Sequence, residues 1–173
     1  MVSRAAFLPA VMLIMVLSGC AEEYPADEFF IRGHLNIPTN VPMTAFFATP
    51  EKTSKIFGRP DVLIKATFKF KDQQQFDEYW KRAQIAQKWN PMPIEDKLYM
   101  RMEQFDRFQK ADLKSFDRIK EGYWLCETTA GYGFFIEKPI FHPCPPNDVD
   151  KDFLLAGLDK QELALYVVLK QDY

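Results

Sequence analysis

The chain has 173 residues, with 22 basic and 24 acidic side chains and a net charge of −2. A near-neutral, slightly acidic surface argues against nucleic acid as a partner, because displacing phosphate counterions takes a basic face. The length suits one domain with a true core, and 16 Phe, seven Tyr and three Trp are available to fill it.

Residues 1–19 are laid out as a targeting segment. Arg4 is their only charge, and residues 5–17 form an uncharged apolar run of 13. That length falls in the range of about 7–15 residues for a signal core. It is short of the roughly 20 needed to span a bilayer, and Pro9 weakens any long helix there. The run closes on Leu17-Ser18-Gly19-Cys20. This tetrapeptide resembles the lipobox of bacterial lipoproteins, and only the first twenty or so residues carry the resemblance. It implies cleavage before Cys20, acylation of the Cys20 thiol, and a mature chain held on a membrane outside the cytoplasm. The bilayer is then the first partner. One acyl chain binds only marginally while two or more hold firmly, and the family's modified cysteine carries two or three. Ala21, not Asp, follows the cysteine, which in enteric-type Gram-negative bacteria implies the outer membrane.

Residues 20–27 read as a short tether, of which the seven residues 21–27 reach at most about 25 Å when extended, and residues 28–173 as a single globular domain. With residues 1–19 removed, 21 basic and 24 acidic side chains remain, a charge of −3. With Cys20 taken by lipid, two cysteines remain, Cys126 and Cys144. An even remainder in an oxidising compartment reads as one structural disulfide. A pair of reduced buried thiols and a redox pair are the alternatives, although the spacing is not C-x-x-C.

In chain order, residues 29–35 read as a first strand. The four prolines between 38 and 60 point to irregular chain with one short strand around Phe46. Residues 62–70 give the clearest signal. Val62, Ile64, Ala66, Phe68 and Phe70 alternate with Leu63, Lys65, Thr67 and Lys69, so the first set faces a core and most of the second faces water. Asp72 and Gln75 match a capping box. In the helix they open, Phe76, Tyr79, Trp80, Ala83 and Ala86 share one face, with Ile85 and Trp89 roughly opposite. Pro91 and Pro93 end it.

A second helical region covers residues 95–121, with Leu98, Met102, Phe105, Leu113 and Phe116 as its stripe and a break near 109–112. Gly122 is placed to end it. Residues 123–128 and 133–137 read as a hairpin. The proline-rich stretch 139–147 would be pinned onto that hairpin by a Cys126–Cys144 bridge. Near the C-terminus Asp159 with Glu162 can cap a helix, but the β-branched and aromatic run in 163–170 favours a strand. The fold expected is α+β: an antiparallel sheet of about four to five strands with two helical segments packed on one face.

Reactive groups are few. The only histidines are His34 and His142, and the serines beyond residue 19 are Ser54 and Ser115, neither in a G-x-S-x-G turn. Gly131-Tyr132-Gly133 lacks the Lys-Ser/Thr of a phosphate loop. His142 and Cys144 supply two metal ligands where zinc needs four. Asp148, Asp150 and Asp152 fall at the first, third and fifth positions of a calcium loop with Asp159 at the twelfth, but Phe153 stands where such a loop needs Gly. A solvated acidic loop is the plainer reading. Nothing calls for a cofactor. The sequence therefore suggests a non-enzymatic envelope lipoprotein that binds a macromolecule, of inhibitor or immunity type, through aromatic and aliphatic side chains off the helix stripe, Ile85 and Trp89 first. A structural or assembly lipoprotein of an envelope or secretion apparatus is the first rival, and a small cell-wall hydrolase the second.

Overall fold

The alternation over residues 62–70 produces the strand it predicts, β2 (Val62–Lys69), and the sheet is best followed outward from it. In the computed structural model, which describes residues 28–48, 62–106, 113–129, 141–144 and 153–171, Ile64, Ala66, Phe68 and Phe70 all enter one core. β2 pairs on one side with β1 (Met43–Ala48) and on the other with β7 (Ala164–Gln171), both antiparallel. β6 (Phe153–Asp159) follows, then β4 (Gly122–Thr129), then the two-residue β3 (Asn90–Pro91). A three-residue β5 (Phe141–Pro143) also pairs with β4. The result is an open, antiparallel seven-stranded sheet in an α+β fold, two or three strands wider than the sequence suggested.

The extra width comes largely from β6. Its seven residues, FLLAGLD, are buried throughout, so no polar alternation marks them as a strand. Asp159, read as a possible helix cap, instead closes the β6–β7 turn. Its Oδ1 accepts the N–H of Gln161 at 2.8 Å and of Glu162 at 3.0 Å. The C-terminal segment is the strand expected.

Residues 29–35 are not a strand but α1 (Glu28–His34). Ile31 and Leu35, four apart, are both fully buried, while Phe29 is 82% exposed. A strand would put Phe29 on the same side as that pair, whereas helical spacing groups Ile31 with Leu35 and turns Phe29 away, and the Arg32 Nε–Glu28 Oε1 pair at 2.6 Å supports the same turn. The helix α2 (Gln73–Ala86) begins as predicted: Asp72 Oδ1 accepts the Gln75 N–H at 2.9 Å, and Gln75 Oε1 reaches back to the Lys71 N–H at 2.8 Å. Phe76, Tyr79 and Ala83 are its buried face. The Tyr79 hydroxyl donates to the Leu35 carbonyl at 3.1 Å, joining α2 to the end of α1. Burial pushes that phenol well above its ordinary pKa, with Arg82 opposing weakly.

The second helical region is α3 (Asp96–Asp106) and α4 (Lys114–Asp117). Of its expected stripe, Leu98, Met102, Leu113 and Phe116 are buried. Gly122 does not end this region; it is the first residue of β4.

The layering also differs from expectation. Helices lie on both faces of the sheet, because β4, β6 and β7 are apolar on both. Leu125, Leu154, Ala156, Leu158 and Val167 meet α1 and α2 on the first face. Trp124, Cys126, Phe153, Leu155 and Val168 meet α3 and α4 on the second. Gly157 permits the close approach of α4, since a Cβ there would sit 2.7 Å from both Phe116 and Ile119. Cys126 and Cys144 form the expected disulfide, with Cα atoms 5.4 Å apart. The second strand expected at 133–137 lies outside the described residues.

Candidate functional site

The two faces are not covered equally. On the first, α1, α2 and the buried Ile37 and Val41 reach from β2 to β4. On the second, α3 and α4 stand over β4 and β6, while side chains of β1, β2 and β7 remain partly open. The register puts Ala45 opposite Thr67, Phe47 opposite Lys65, and then Tyr166 and Val168 opposite those same β2 residues. Directly opposed residues in an antiparallel pair share a face. Ala45, Phe47, Lys65, Thr67, Tyr166 and Val168 therefore form one strip, walled on its inner side by Ser115 of α4.

This strip is the floor of a groove of about 310 Å³. Phe47 is 50% exposed at its rim. Lys69 continues the strip and is paired with Glu162 at 3.0 Å. The Tyr166 hydroxyl is held above its ordinary pKa, first by partial burial and then by the Asp159 carboxylate, with Lys69 opposing. It stays a neutral donor and acceptor at physiological pH. An aromatic rim, a floor that sets Ala45 and Val168 beside Lys65, and the three hydroxyls of Thr67, Ser115 and Tyr166 suit an inserted apolar side chain with polar neighbours. A second groove of similar size lies on the other side of α4, lined by Met92, Ile94, Tyr99, Phe116 and Ile119 among others.

Among the described residues neither histidine lies at the strip. His34 sits on the opposite face, its Nε2 2.5 Å from Glu127 Oε2 and its ring stacked on Phe30. His142, on β5, is exposed. Cys144 is bonded to Cys126, so its sulfur is no thiolate ligand. Among the described residues no three His, Cys, Asp or Glu side chains are grouped to hold a metal. Asp148, Asp150 and Asp152 lie outside the described residues. Asp159, their twelfth-position partner in a calcium loop, is at the far end of the extended strand β6.

The residues singled out from sequence separate. Cys20 lies outside the described residues. Ile85 is 85% exposed on α2. Trp89 is half-buried, packed against the first core and edge-on to Trp80 at 6.0 Å. Trp80 in turn stacks on Tyr123 at 3.8 Å, and Lys160 caps the Tyr123 ring at 4.6 Å. Trp89 thus belongs to a packed aromatic cluster, and Ile85 stands in solvent. Trp89→Ala is expected to lower unfolding free energy by about 2 kcal/mol, below the 3–5 of a fully buried tryptophan. Ile85→Ser should stay within about 0.5 kcal/mol of the parent. Urea unfolding checks both, and a Trp89→Ala curve matching the parent would return that ring to the surface.

The strip residues themselves were half legible. Alternation already placed Lys65, Thr67 and Lys69 on an outward face of β2, but nothing local says that β1 and β7 flank it. No helix among the described residues is long and apolar enough to cross a membrane. Comparison with protein-family models, curated proteins and solved structures finds no match to this chain.

Proposed function

We propose that the protein is an envelope lipoprotein, anchored through acylated Cys20, whose folded part binds a protein partner in the manner of an inhibitor or immunity protein. The observation that carries the binding half is the open strip beside α4, a groove with a half-exposed aromatic at its rim. Exposed apolar surface of this kind on a small protein marks interaction sites. The anchoring half rests on Leu17-Ser18-Gly19-Cys20. The Cys126–Cys144 bond adds support, since such bonds persist in oxidising compartments. A tether of eight residues, 20–27, keeps the start of α1 within about 30 Å of the bilayer, so the partner is met near the membrane.

The test uses the full chain expressed in a bacterial host. The parent is expected in the membrane fraction with an acylated N-terminal Cys20, and Cys20→Ser in the soluble fraction. Affinity capture should retain a protein that is lost from Lys65→Glu and Ser115→Trp, both with unchanged melting curves. A soluble parent that keeps Met1 removes the anchor. Capture indifferent to both groove variants removes the groove.

A further inference from the structure

The two edges of the sheet are finished differently. At one edge β3 has two residues and contains Pro91, and β5 has three and contains Pro143. Short strands and prolines are the usual means of blunting an edge against further pairing. At the other edge β1 is six residues long, MTAFFA, with no charge and no proline. Among the described residues it pairs only with β2 and nothing hydrogen-bonds to its outer side, so alternate N–H and C=O groups there have no partner among them. Five of the six residues are exposed, with Phe46 at 44% and Phe47 at 50% on opposite faces. Such an edge matches a strand in hydrogen bonding, and its side chains match an apolar, uncharged one.

We propose that β1 is a self-pairing edge, joining antiparallel to β1 of a second copy to make one continuous sheet across a two-fold dimer. The strand is complementary to itself. Opposed residues must share a face, so only registers in which a residue meets its own symmetry mate are allowed. Centring on Phe46 sets Phe46 against Phe46 of the second copy on the first face. It also sets Phe47 against Ala45, large against small, on the second face. Thr44 then meets Ala48, and the register irregularity between Met43 and Ala45 stays at the end of the junction. With no charged residue in β1, self-pairing brings no like charges together, and aromatic cross-strand pairs favour it. The axis is perpendicular to the sheet, so the groove over Lys65 and Tyr166 runs on across the junction. This inference rests on the edge alone and does not depend on Cys20 or on the partner proposed above.

The experiment is oxidative cross-linking of the full chain in mild detergent. Phe46→Cys should give a covalent dimer of twice the chain mass. Ala48→Cys should give none, because its symmetry mate lies about 14 Å away along the strand, beyond disulfide reach. By light scattering, the unsubstituted chain should be dimeric and Phe46→Lys monomeric with an unchanged melting curve. Four results overturn the proposal: equal cross-linking at both positions, a monomeric parent, a dimer that survives Phe46→Lys, or a foreign strand on β1 in place of the second copy.

Discussion

Gly122→Ala is expected to lower the melting temperature by roughly 6–12 °C, the equivalent of about 3 kcal/mol at 2–4 °C for each. Gly122 opens β4 where three segments converge. It pairs with Asp159 of β6, its carbonyl accepts the Met92 N–H at 3.1 Å, and the Glu121 carbonyl beside it accepts the Lys160 N–H at 2.9 Å. A Cβ at Gly122 would lie 1.9 Å from the Leu158 carbonyl oxygen. That obstacle is backbone inside a ladder, so relief requires the end of β4 to move away from β6. Gly157→Ala is the informative comparison. Its Cβ would meet Phe116 and Ile119 at 2.7 Å, but those are side-chain atoms that can turn aside, so about 1–2 kcal/mol is expected. Thermal melts followed by circular dichroism rank the two. A Gly122→Ala protein that melts with the parent, or above Gly157→Ala, would refute the clash.

Losing the disulfide should cost a similar amount by a different route. The bond closes 18 residues between Cys126 and Cys144, and loop entropy alone puts its contribution at about 3 kcal/mol. The native contacts at stake are local. Cys144 directly follows β5, and its N–H donates to the Cys126 carbonyl at 3.0 Å. Cys126 is buried in the second core, where Cys144 packs beside it. The double variant Cys126→Ala/Cys144→Ala, and the parent in reductant, should both melt roughly 6–12 °C below the oxidised parent. Hydrogen exchange should show β5 opening first while β2, β6 and β7 stay protected. If reduction left the melt unchanged, the bond would be a decoration on a structure stable without it.

What could be read from the chain depended on whether a segment faces two different environments. β2 has Phe68 against the core and Lys69 toward water, and its strand was plain. α2 announces itself through Asp72 and Gln75 and was plain for the same reason. β6 faces apolar neighbours on both sides, and a run such as Leu154-Leu155-Ala156 carries no period to detect. That one silence hid the sheet's width and its second helical layer. α1 misled in the opposite way: Phe29 and Phe30 look like strand residues, but the buried pair is Ile31 and Leu35. The Glu28–Arg32 spacing was the available clue. The groove needed tertiary information, since Phe47, Lys65, Ser115 and Tyr166 come from four elements. The cystine needed only counting.

The order of strands in the sheet has a consequence for how the chain matures. β1 and β2 form one half, and β3, β4 and β5 the other; among the described residues the two halves touch in the ladder only through β6 and β7. Those two come later in the chain than every other described strand. Until that hairpin emerges, β2 and β4 each lack their inner neighbour, and both faces of a divided sheet stay wet. Closing the described sheet must therefore wait for that hairpin, as in other high-contact-order topologies, leaving the segments ahead of it loose and threadable while they are being made.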